Sequence, residues 1–284
     1  MESESVKNAV KEVNSQVKKA KKIFKPYLPL ITRVLIVATF VEDGIRCFYE
    51  FGGQVDFLKH QYGIPKAICG ILIVITTIMS LLGAALILTQ KPQLEKFGCY
   101  ALISFVLYQQ AMYGRHSPIG SGNFGFLMRN LCLAGTLLML LVQGRMSQGH
   151  TALPGIPDPG DKTTTVTYIQ LAARALIVLL SLEFLSTLGP IGTLTTIPVL
   201  LAVLAGYKSQ ISGSLLLLIY FLHNVINSAF WSVRTDSYRG EFDREVKRYE
   251  FVQTISIMGG LLLLVASGPG ALSLDEKFDR RKNF

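Results

Sequence analysis

Arg129 and Asn130 stand near one end of the apolar stretch Phe126–Val142. A guanidinium in hydrocarbon costs at least ~2.5–3.5 kcal/mol, so Arg129 must face a partner or a wet cavity. Other polar side chains interrupt other apolar runs. Glu42, Asp43 and Arg46 fall near the end of the first run, Glu183 within the fifth, and His223, Asn224, Asn227 and Trp231 along the seventh. Tyr249, Glu250 and Gln253 open the last run. Carboxylates, guanidinia and amides gathered in a membrane cavity can bind a charged or hydrogen-bonding ligand, or relay protons. The chain shows no glycine-rich phosphate loop, no His-x-x-x-His pair and no Gly-x-Ser-x-Gly elbow, so no enzyme, metal or cofactor is expected.

The elements that must position these residues are membrane helices. Of 284 residues half are hydrophobic and 17% are charged, fewer charges than a soluble domain carries. The apolar residues come in long runs, not in the ten-residue alternation of a transmembrane barrel. The expected fold is therefore all-α and polytopic. Eight spans lie near 30–50, 65–89, 97–113, 124–143, 168–188, 191–206, 211–231 and 251–267, the sixth short and carrying Pro198. Cys47, Cys69, Cys99 and Cys132 read as small core residues, with no disulfide framework.

The net charge of +9 sets orientation here, with no role for nucleic acid. With the N-terminus in the cytosol, sixteen Lys and Arg fall on that side and eight on the other, which puts both termini in the cytosol. Residues 1–26 hold seven lysines and three glutamates, and form either a basic amphipathic arm on an anionic leaflet or a solvated tail. The segment 144–167, rich in Gly, Pro and Thr, reads as a cytosolic linker. It separates two membrane halves, 27–143 and 168–267, and a cytosolic tail covers 268–284. The segment 232–250 reads as a long charged loop on the opposite side.

The halves resemble each other. Tyr27 to Glu42 aligns without gaps on Tyr168 to Glu183, with Tyr, Leu, Arg, Leu-Ile-Val and Glu coinciding; Phe126 to Leu140 tracks Phe251 to Val265, with Ala134-Gly135 in register with Gly259-Gly260. Four spans per half is an even number, so the copies share an orientation, as two four-helix bundles in tandem pseudo-repeat. The glycine pairs are expected to be packing contacts.

On this topology every intramembrane polar residue falls in the half of the bilayer away from the cytosol, as a cavity open to that side requires. Glu42 and Arg46 are spaced to pair along one helix face. Asp43 points about 100° away from Glu42, and Arg129 is its expected partner. For Glu42, Arg46, Asn224 and Asn227 taken singly, locking helices together is an equal alternative to touching a ligand. His223 reads as a bundle residue. The chain closes on Asp279-Arg-Arg-Lys-Asn-Phe284, where Arg281 and Lys282 occupy the fourth and third positions from the end. That arrangement resembles the dibasic signal by which the COPI coat retrieves proteins to the endoplasmic reticulum.

Thr39-Phe-Val-Glu-Asp-Gly-Ile-Arg46, Phe126-Leu-Met-Arg-Asn-Leu131, Asn227-Ser-Ala-Phe-Trp231, and the run from Phe251-Val-Gln-Thr through Gly259-Gly to Gly268-Pro-Gly and Asp275-Glu-Lys together resemble the surfeit locus protein 4 family. The resemblance runs from about Tyr27 to the C-terminus and extends to DoxX-like four-helix membrane proteins. It implies a receptor that binds soluble secretory proteins in the endoplasmic reticulum lumen through a short hydrophobic motif near their N-termini. Such a receptor loads them into COPII vesicles, cycles through the intermediate compartment and early Golgi, and returns by COPI. Homo-oligomers are compatible with this reading. The expected cargo site combines Glu42, Asp43, Arg46, Arg129, Asn130, Glu183, Asn224, Asn227, Trp231, Tyr249, Glu250 and Gln253. Within it Glu42, Asp43, Glu183 and Glu250 would hold the cargo's amine, while Phe230, Trp231 and Tyr249 supply apolar contact. A small-molecule or lipid transporter, or a scramblase, built on the same cavity is the rival expectation.

Overall fold

The computed structural model describes residues 26–114, 123–149, 188–267 and 272–274, with scattered positions between 167 and 185. Among the described residues the regular structure is helical throughout, with no strand. The helices are α1 (Leu28–Tyr49), α2 (Phe51–Tyr62), α3 (Lys66–Leu88), α4 (Pro92–Tyr113), α5 (Asn123–Gly149), α6 (Gly189–Ala205), α7 (Ser209–Asn227) and α8 (Tyr238–Ser267), with a 3₁₀ turn at Phe230–Ser232 before the last. The fifth expected span lies mostly outside the described residues, though Arg174 to Leu176 are helical.

Sequence dictates where these helices start and stop. Pro29, Pro92 and Pro190 stand in the first turns of α1, α4 and α6, where a missing N–H costs nothing. Gly63 (φ +66°) and Gly206 (φ +67°) close α2 and α6 in the left-handed conformation that glycine adopts without strain. Four helical stretches are long and apolar enough to cross a bilayer: Lys66–Leu88, Phe124–Gly144, Ser209–Ser232 and Tyr238–Ala266. α1 and α4, each 22 residues, have the length as well, but α1 carries the buried charges of the site. α6 is 17 residues long with Pro198 inside it, short as expected. On α3 a stripe of Ile71, Val74, Ile75, Ile78 and Leu82 is exposed, the face a helix turns to lipid.

Two stretches differ from the sequence reading. Residues 51–62, taken as a connection, form α2, which packs Val55 and Leu58 against Cys69 and Ile73 of α3. Most of the expected loop 232–250 is helical, because α8 begins at Tyr238 and runs for 30 residues. At 1.5 Å per residue that is about 45 Å, longer than the hydrocarbon core, so the charged first third of α8 extends beyond it.

One core draws on both of the expected halves. Ile36 and Phe40 of α1, Leu102 of α4, Leu137 of α5, Leu216 and Tyr220 of α7, and Ile257 and Leu261 of α8 belong to a single buried cluster. Gly259 and Gly260, expected as packing contacts, lie where α8 crosses its neighbours. A Cβ on Gly259 would come within 2.8 Å of the Ile36 backbone nitrogen, and one on Gly260 within 2.5 Å of Thr136 Oγ1. Such close approach is how helices associate without a hydrophobic driving force. The aligned arginines of the repeat, Arg33 and Arg174, are both buried.

Candidate functional site

α1 to α5 and α8 line a cavity of about 310 Å³ at the end of the bundle where α1 and α4 finish and α3, α5 and α8 begin. Phe57, Ile73, Phe105 and Phe126 form its apolar wall; Asp43, Arg46, Gln109 and Tyr249 form its polar wall. Tyr108 lines it too, and its hydroxyl is buried without a hydrogen-bond partner among the described residues. Glu245 and Phe242, on the protruding part of α8, are exposed at its mouth.

The polar wall is a connected network. Asp43 is buried, and its two oxygens accept from different donors: Oδ1 from the Arg46 guanidinium three residues on, and Oδ2 from Gln109 Nε2 at 2.9 Å. Arg46 also lies 3.6 Å from Glu42 Oε1, and its guanidinium carbon sits 5.3 Å from the centre of the Tyr249 ring. Glu42 Oε1 in turn lies 3.3 Å from Arg248 of α8. Two carboxylates and two guanidinia thereby tie α1 to α8 and leave little net charge, the arrangement that makes buried ions tolerable. The outer side of the cavity is closed by α2. Gln54 Oε1 accepts from the Tyr113 hydroxyl at 2.9 Å, and the Phe57 and Tyr113 rings stack 5.4 Å apart.

The structure brings some of the expected site residues to this hollow and leaves others away from it. Asp43, Arg46 and Tyr249 line the cavity. Glu42 lies on the far side of Arg46, facing a separate groove. Gln253 donates to the Tyr249 hydroxyl at 3.4 Å, behind the wall. Arg129 lies 3.9 Å from Glu250, so the expected Asp43–Arg129 pair does not form; the Gln109 amide occupies the place where Arg129 was expected. Asn130 donates to Gln110 at 2.9 Å. Asn224 donates to the Phe251 carbonyl at 3.1 Å and staples α7 to α8. Asn227 is exposed at the end of α7, and Trp231 is 57% exposed with its ring edge-on to Phe230 and Phe251. Glu183, Arg281 and Lys282 lie outside the described residues.

Sequence reasoning missed Gln109, Gln110, Tyr108 and Tyr113. The run Tyr108-Gln-Gln-Ala-Met-Tyr113 was the available signal, since two adjacent amides in an apolar span need partners. It also missed Arg33–Glu95, an ion pair at 2.8 Å near the other end of α1. Among the described residues no cluster of His, Cys, Asp and Glu could hold a metal ion.

This is a polytopic helical membrane protein with a charged network buried beside a small cavity. Comparison with known sequences sharpens the class. The model of the SURF4 family matches residues 7–282, and the chain belongs to that family. It is 34% identical over 261 residues to the surfeit locus protein 4 homolog of Schizosaccharomyces pombe, covering 89% of this chain and 82% of that one. It is 31% identical over 257 residues to the ER-derived vesicles protein ERV29 of Saccharomyces cerevisiae, covering 89% and 77%. The Drosophila melanogaster surfeit locus protein 4 homolog is 28% identical over 256 residues, covering 89% and 90%. No solved structure matches the chain significantly.

Proposed function

We propose that the protein is a cargo receptor, without catalytic activity, of the endoplasmic reticulum membrane. It binds soluble secretory proteins at the lumenal end of its bundle and enters COPII vesicles with them. The name of the yeast relative, an ER-derived vesicles protein, supports the compartment. The cavity carries the binding reading: about 310 Å³, at the low end for ligand sites, with an apolar wall facing a carboxylate–guanidinium wall. A short hydrophobic segment at a cargo N-terminus fits that division, its side chain against Phe57, Phe105 and Phe126. Its amine would be held at the mouth by Glu245, an exposed carboxylate of the protruding α8.

In this reading both termini are cytosolic and the cavity end is lumenal. The chain divides into the arm 1–26, the halves 27–143 and 168–267, the linker 144–167 and the tail 268–284. Arg281 and Lys282 return the receptor through COPI.

Photocrosslinkers placed at Gln54 and Phe242 of the full-length protein in cells test the site. Both should capture soluble secretory proteins bearing hydrophobic N-termini, and capture should fall on Asp43→Asn. Crosslinks only to neighbouring membrane proteins would sink the proposal. Flux of solute or lipid in liposomes of the purified protein, lost on Asp43→Asn, would favour a transporter instead. Replacing Arg281 and Lys282 with serine should shift the receptor to the Golgi; an unchanged distribution refutes the retrieval assignment.

A further inference from the structure

On the flank of the bundle, between α1 and α8, lies a second hollow of about 630 Å³. It shares Arg46 and Glu245 with the cavity and no other lining residue. Along α1 its lining residues Ala38, Val41, Ile45 and Tyr49 recur every three or four positions, with Glu50 just past the helix end; along α8, Val252 is followed by Arg248 and Glu245 at the same spacing. Glu42 and Arg46 also line it, beside Val41 and Ile45; on both helices the deepest lining residues, Ala38, Val41 and Val252, are apolar and every charged one lies beyond them toward the cavity end. Its lining residues Ile45 (48% exposed) and Tyr49 (82%) are open to the outside of the bundle, so whatever fills it enters from the bilayer.

We infer that this groove holds one zwitterionic, ammonium-bearing phospholipid, its acyl chain along Ala38, Val41 and Val252 and its head group between Glu50, Glu245 and Arg248. Charge selects the head group. Three carboxylates line the groove, Glu42, Glu50 and Glu245, against two guanidinia, Arg46 and Arg248, and Arg46 is already shared with Asp43. The surplus is negative, which suits an ammonium and disfavours an anionic head group, while Arg248 can meet the single phosphate. The inference does not rest on the cargo reading: the two sites share Glu245 and Arg46, but Ala38, Glu50 and Arg248, where the variants below are placed, line the groove alone.

Full-length protein, purified in detergent and stripped of lipid, would be titrated with phosphatidylethanolamine or phosphatidylglycerol of equal chain length and followed by native mass spectrometry. A single saturable adduct should form, retained about tenfold more strongly for phosphatidylethanolamine, the factor that one charge-assisted hydrogen bond carries. Glu50→Gln with Arg248→Gln should abolish that preference, and Ala38→Leu, which occupies the chain path, should remove the adduct. If the charge variant fails to fold, Ala38→Leu decides. Equal retention of the two lipids, a ladder of equivalent adducts, or a single adduct that survives Ala38→Leu would overturn the inference.

Discussion

α1 carries a buried arginine near each end, and the two are built differently. Arg33 gives all three of its nitrogens to fixed acceptors: Nε and one terminal nitrogen to Glu95, the other terminal nitrogen to the Pro29 carbonyl at 2.9 Å. Its side chain is 10% exposed and that of Glu95 3%. Arg46 is 24% exposed, divides itself between Asp43 and Glu42, stacks on Tyr249 and borders two hollows. One arginine closes a seam; the other divides itself among partners and leaves empty volume beside it. A buried ion pair with a single dedicated partner reads as a staple. A network with divided partners beside a cavity has contacts that a ligand can take over without leaving a charge stranded.

The comparison predicts separable outcomes. Glu95→Gln strands the Arg33 guanidinium in the bundle and should cost about 3–5 kcal/mol, the largest effect of any single change here. Melting of the detergent-solubilised protein, followed by tryptophan fluorescence or size exclusion, would show it, and Arg33→Met in the same chain should recover part of the loss. Asp43→Asn should cost less, about 1.5–3 kcal/mol, because Arg46 keeps Glu42. Its main consequence should be in cargo crosslinking. If Asp43→Asn melts the protein as severely as Glu95→Gln, the two ends of α1 are not different in kind.

Gln109→Leu sharpens the contrast. It removes the donor to Asp43 Oδ2 and leaves that oxygen buried and unsatisfied, at a cost of about 1–3 kcal/mol. Cargo capture should fall because the Asp43 carboxyl is then free to turn. The measurement is crosslinking yield against melting temperature. A change in stability with full capture would make Gln109 a packing residue only.

Much of this architecture was legible in the sequence because a bilayer leaves few options. Runs such as 65–89 and 124–143 had to be helices, and the charges within them had to meet. That logic placed Asp43, Arg46 and Tyr249 at one end of the bundle, where the cavity lies. It failed on partners. Asp43 went to Gln109 and not Arg129, since an amide in an apolar run is a weaker signal than a charge and α4 drew no attention. It failed also on α2, whose Gly-Gly pair and His, Lys and Asp content read as a connection. Only packing of Val55 and Leu58 on α3, invisible to local propensity, makes that segment a helix. Asn224 and Trp231 were chosen by residue type and depth, and depth says nothing about rotation around the helix axis.

α2 supplies the smallest expected effect and the finest test of which end of the molecule is adjustable. Besides the packing of Val55 and Leu58 on α3, it is held over the cavity by a few contacts at the end of α4: the Tyr113 hydroxyl on Gln54, the Tyr113 ring on Phe57, and the Tyr62 hydroxyl on the Met112 carbonyl. Tyr113→Phe removes only the first and should cost about 0.5–1.5 kcal/mol, little enough to leave global melting almost unmoved. If that cost falls on local opening, amides in 51–62 should exchange about three- to tenfold faster while those around Arg33 and Glu95 stay unchanged. Hydrogen exchange by mass spectrometry separates the regions directly. Uniform acceleration at both ends of α1 would mean the bundle opens as one cooperative unit, and the staple and the network would then share a single stability. Acceleration confined to α2 would mean the cavity can be entered while the opposite end stays closed, as the proposed binding and release of cargo requires.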